Sequence, residues 1–172
     1  MVHILVSWLH WLGMLLHAHA AATAGCAPKA ADAPSIAFIV QRAEMTSGGY
    51  AVALNSACRH GARVLSVTTV APRRLAVVLM ARKDGTLLGL RWQSHWQRWL
   101  HDDEMQAVRG ERPSLDLVQA LRRISPYGMV TTARLRYRDA RPCWSITVEH
   151  AGSAQAWRVE TSAGRVRIAG RL

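Results

Sequence analysis

Lysine, phenylalanine and acidic residues are all scarce in this chain of 172 residues. Two lysines, Lys29 and Lys83, stand beside 20 arginines, there is one phenylalanine, and 11 Asp and Glu face 22 Lys and Arg. Nearly all of the formal charge of +11 therefore rests on planar guanidinium groups that stay protonated at any physiological pH. Catalytic signatures are missing as well. No G-x-S-x-G occurs, no glycine-rich phosphate loop precedes a helix, and no H-E-x-x-H or C-x-x-C is present. Hydrolase, nucleotide and dithiol redox chemistry find no support, and neither a catalytic residue, a cofactor nor a metal is expected. The three cysteines, Cys26, Cys58 and Cys143, are an odd number spread widely along the chain.

Half of the residues are apolar and 19% are charged, which suits a folded core and one or two small domains. Residues 1–24 read as a secretory signal peptide or membrane anchor. An apolar run from Ile4 to Leu16, shorter than the roughly 20 residues that span a bilayer, leads into Ala18-His19-Ala20 and Ala22-Thr23-Ala24. Thr23-Ala24-Gly25-Cys26 resembles a bacterial lipobox, so Cys26 is a lipidation candidate. Cys58 and Cys143 would then be left to pair as a disulfide in an oxidising compartment.

The rest divides into two units, 25–108 and 109–172. In the second, Pro113 and Ser114 open a helix over 114–124 with Leu115, Val118, Leu121 and Ile124 on one stripe. Residues 129–138 then alternate with period two. Ala133, Leu135 and Tyr137, together with Met129 and Thr131, point one way, and Arg134, Arg136 and Arg138 the other. Two more strands carry Trp144, Ile146 and Val148, then Trp157 and Val159, before a short last one with Val166 and Ile168. The first unit repeats this order, with a helix over 50–61 stopped by Gly61, strands at 63–70, 75–82 and 87–92, and Asp84-Gly85 as a type I′ hairpin turn. The fold class expected is α+β, two helix-plus-antiparallel-meander units after the signal segment.

Residues 143–166, with their alternation and turn glycine Gly152, resemble the PepSY domain family, and the first unit resembles a degenerate copy of it. The resemblance implies an exported or membrane-associated module that regulates a peptidase or sensor and has no catalytic residues of its own.

Two surfaces stand out as binding candidates. Trp92, Trp96 and Trp99 are spaced by four and three, so on a helix their rings share one face. That face suits a protein partner in the envelope, or equally the junction between two small sheets. Arg134, Arg136 and Arg138, with Arg158 and Arg167 on neighbouring strands, should project together from the sheet. They would face an anionic polymer or membrane surface, or simply be hydrated. His95, His101, Asp102, Asp103 and Glu104 lack metal-ligand spacing. A sequence-specific nucleic-acid partner is not expected, and no residue pattern sets an oligomeric state.

Overall fold

The computed structural model describes Cys26 and residues 33–71, 74–93, 112–138, 141–161 and 165–171. The signal or anchor segment expected at 1–24 lies outside them, as do the candidate metal ligands, Trp96 and Trp99.

Ser35 caps the first helix, α1 (Ile36–Ser47), by accepting a hydrogen bond from the Phe38 N–H, and Ile39, Val40 and Ala43 form its buried stripe. Gly48 closes α1 in the left-handed conformation that glycine adopts without strain. Four strands follow: β1 (Tyr50–Arg59), β2 (Ala62–Ala71), β3 (Arg74–Ala81) and β4 (Leu87–Gln93). The second helix, α2 (Leu117–Ile124), buries Leu117, Val118, Leu121 and Ile124. A 3-10 turn over Ser125–Tyr127 leads to β5 (Met129–Arg138), β6 (Arg141–His150), β7 (Ser153–Glu160) and β8 (Val166–Arg171).

Among the described residues eight strands join one antiparallel sheet in the order β4-β3-β2-β1-β5-β6-β7-β8. The class is α+β, with sheet dominating. Each half runs helix, then four strands, and the two sequences of strands spread outward from the β1–β5 pair. Rather than two small sheets there is one, continuous through that central seam. The helices pack against each other, α1 on β1, β2 and β3 and α2 on β1 and β5. They cover a core that includes Leu54, Leu65, Val67, Ile146 and the fully buried Trp144.

Several local expectations are corrected. Residues 50–61 form no helix: they are β1 and the turn to β2, and α1 lies just upstream. His60 and Gly61, with φ of 50° and 74°, make a two-residue hairpin in which both positions are left-handed, so Gly61 ends a strand and not a helix. Of Asp84 and Gly85 only Gly85 has positive φ, at 69°. A four-residue loop replaces the type I′ turn, closed by Ala81 N–H to Thr86 C=O at 2.8 Å and Gly85 N–H to Ala81 C=O at 2.9 Å. The α2 cap is Asp116, whose carboxylate accepts from the Gln119 N–H at 2.8 Å, while the Ser114 hydroxyl donates to the Thr161 carbonyl. A bulge between Val130 and Thr132 shifts the pleat, so Val130 joins the core in place of Met129 and Thr131.

At the far end of α1 the Glu44 carboxylate accepts the Ala51 N–H at 2.8 Å, tying helix to sheet where β1 bulges. Burial raises its pKa above the ordinary glutamate value. The Ala51 hydrogen bond and the nearby Arg112 pull it back in part, and Asp116 adds to the rise.

Candidate functional site

The bulge fixes which residues of β5 turn away from the helices. Ala133 and Leu135 are in the core, so Arg134, Arg136 and Arg138 take the other face, where all three are exposed. In register, Arg134 sits opposite Ser145, Ser145 opposite Arg158, and Arg158 opposite Arg167. In the other direction the same row runs from Arg134 through Ala53, Thr68 and Val77 to the exposed Arg91 on the edge strand. The register thus puts Arg134, Arg158 and Arg167 in one row and adds Arg91, which the sequence reading left out. With strands about 4.8 Å apart and residues about 3.4 Å apart along them, the Arg134 and Arg158 backbones are about 10 Å apart and those of Arg134 and Arg136 about 7 Å.

Carboxylates are thinly spread here. In register, Arg136 lies opposite Cys143, which lies opposite Glu160, and Glu149 lies toward the far end of the β6–β7 hairpin. At the other hairpin, Arg138 is paired with Arg141, a like-charge pair that a sheet built for stability alone disfavours. Guanidinium groups bind carboxylate or phosphate oxygens through two parallel N–H bonds, so a grid of this kind matches a surface of repeated anionic groups.

Trp92 is not on a helix. It lies on edge strand β4, where the residue is 39% exposed and the Arg74 guanidinium sits 3.9 Å above the ring centroid. The shared tryptophan face is therefore corrected at its first member, because period-two geometry continues through Gln93. Leu87, Leu88 and Leu90 on the same strand are also exposed, so this edge is the apolar one.

Cys58 forms a disulfide with Cys26 and not with Cys143. The expected pairing fails on distance. Extending the β1–β5 register puts Cys58 level with the start of β5, whereas Cys143 lies opposite Arg136, about seven residues or about 24 Å further along the sheet. A disulfide needs Cα atoms within about 7 Å. The Cys26 sulfur is also the atom through which a lipid would be attached, so the disulfide and the lipidation expected there exclude each other in any one molecule. A disulfide fits an oxidising compartment. Among the described residues no helix is long and apolar enough to cross a membrane, and no three metal-ligating side chains cluster.

No family model and no curated protein matches the chain. Among solved structures it is similar to a crystal structure described as a "putative lipoprotein" from Clostridium difficile 630. The two share 12% identity at a TM-score of 0.46, over 75% of this chain and 88% of that one. A likeness at this level carries no argument about what the chain does.

Sequence reasoning also missed Arg82, a buried arginine in the β3–β4 loop, and the Ser35 helix start beside it. The signal was there for the second: Pro34-Ser35 precedes apolar residues at 36, 39, 40 and 43, the spacing of one helical face.

Proposed function

We propose that the chain is an exported, non-enzymatic binding module of the bacterial cell envelope that engages an anionic polymer or membrane surface through the arginine face of its sheet. The observation that carries this reading is the transverse row Arg134–Ser145–Arg158 with Arg136 and Arg138 beside it, exposed on β5 and half-buried at Arg158, and thin in carboxylates. The Cys26–Cys58 disulfide supports an extracytoplasmic location. The repeated order of one helix and four strands supports the reading of two related halves.

Retention on heparin and binding to vesicles of anionic lipid, each followed across a salt series, test it. Arg134, Arg136 and Arg138 changed together to Gln should weaken both and flatten the salt dependence by about three ionic contacts. Unchanged binding by the triple variant sinks the reading. A second reading, a regulatory partner protein such as a peptidase or sensor, is favoured by the exposed Leu88, Leu90 and Trp92 on β4, an edge strand among the described residues. Such docking would depend little on salt and would be lost in Leu88→Glu.

A further inference from the structure

On the helix side of the sheet, away from the arginine face, a cavity of about 470 Å³ opens between the start of α1 and the end of α2. Its wall includes Arg82, which is only 6% exposed. The Arg82 guanidinium makes one hydrogen bond among the described residues, to the Pro34 carbonyl at 2.6 Å, out of the five N–H groups it carries. Among the described residues no carboxylate pairs with it. Burial, and after it the nearby Arg63 cation, lower its pKa. A guanidinium so little exposed that lines a cavity, with no carboxylate beside it among the described residues, favours an anion seated there.

The surroundings suit that anion. The N-terminus of α1 borders the cavity. Its Ser35 cap serves Phe38, so the N–H groups of Ile36 and Ala37 have no acceptor within the helix. Across from them the exposed Arg122 and Ser125 at the end of α2 line the mouth. The remaining wall is apolar, made by Leu121, Met129 and Val130 with the side chains of Ile36 and Ala37. A bare ion would leave this apolar lining uncovered, and a neutral hydrocarbon would leave Arg82 unpaired. We propose that the cavity binds a small monoanionic amphiphile, its carboxylate or phosphate head on Arg82 and the α1 N-terminus and its apolar body against Leu121, Met129 and Val130.

The test is calorimetric titration of the full chain at constant ionic strength with octanoate, octanol and inorganic phosphate as separate probes. Octanoate should bind at one saturable site, at least about tenfold more tightly than either of the others, since each of them satisfies half of the lining. Arg82→Gln should weaken octanoate by about tenfold or more. Arg122→Gln, at an exposed position where folding is not at stake, should weaken it severalfold. Arg136→Gln, on the opposite face of the sheet, should leave it unchanged, which separates this site from the arginine face. No saturable octanoate binding, equal binding of octanol, equal binding of phosphate, or octanoate affinity indifferent to both Arg82→Gln and Arg122→Gln would each overturn the proposal.

Discussion

Two buried tryptophans in adjacent strands differ in one respect that stability measurements can read. Trp144 is fully buried, and its indole N–H donates to the Leu115 carbonyl at 2.8 Å. Trp157 is 8% exposed and stacks on Tyr127 at 4.5 Å between centroids, yet its indole nitrogen has no acceptor among the described residues. Replacing either by Phe removes the same few ring atoms from the core, a loss of about 1 kcal/mol in transfer and cavity terms. Trp144→Phe also strands the buried Leu115 carbonyl, which adds about 1–3 kcal/mol. The total for Trp144→Phe is about 2–4 kcal/mol, or a fall of roughly 5–15 °C in Tm for a chain of this size. Trp157→Phe deletes a donor that is already unsatisfied and keeps the aromatic contact, so its cost should stay at about 1 kcal/mol or below. Urea unfolding followed by far-UV circular dichroism, with unchanged m values, measures both. Equal losses for the two variants, or a larger loss for Trp157→Phe, would refute the hydrogen-bond reasoning.

Peptide mapping of the unreduced protein should recover Cys26 linked to Cys58, and Cys143→Ser should leave that link intact. Closing the loop between residues 26 and 58 corresponds to about 3–4 kcal/mol in the chain-entropy model, so Cys58→Ser should lower the urea midpoint accordingly. Glu44 has a folded pKa above its unfolded one, so the folded chain holds the extra proton. Its contribution is most favourable below the ordinary glutamate range and is lost as pH rises through the folded value. Glu44→Gln, which keeps an acceptor for the Ala51 N–H, should flatten that stretch of the stability–pH curve and be neutral or stabilising at pH 7, whereas Glu44→Ala should cost about 1–2 kcal/mol by orphaning the amide. The triple change of Arg134, Arg136 and Arg138 to Gln should leave thermal stability nearly unchanged, because all three side chains are exposed. A large fall in Tm would show that the arginines serve packing.

The second half of the chain was legible because its strands have one wet face. In β5, arginines alternate with Ala133 and Leu135, and in β6 Ser145 separates Trp144 from Ile146, so period and burial agree. β1 lacks that contrast. It lies at the centre of the sheet, its residues 51–54 are all buried, and a bulge interrupts the pleat, so an alanine-rich run reads as helix by propensity while the neighbouring strands force it to extend. His60-Gly61 shows the same ambiguity at a turn, since a left-handed glycine both ends helices and closes hairpins. The arginine face followed from alternation alone. Arg82 did not, because burial of a charged side chain beneath a helix start depends on where α1 lands on the sheet, which no local pattern encodes. That Cys143 lies out of reach of Cys58 is likewise a matter of sheet register.

The seam at the middle of the sheet also bears on how the chain reaches its fold. β1 and β5 are each ten residues long but meet at only three register pairs, Ala53 with Arg134, Leu54 with Ala133 and Asn55 with Thr132, whose members lie about 80 residues apart in sequence. Every other strand pairing joins neighbours in the chain through short connections. Each half therefore zips up locally and early, and the search for the other half is the slow step, because that long loop must close before the seam rewards it. Until the seam closes, each half presents an unpaired edge at β1 or β5 that another copy's complementary half fits equally well. Refolding at high protein concentration should thus divert chains into exchanged dimers, and dilution should restore the monomer.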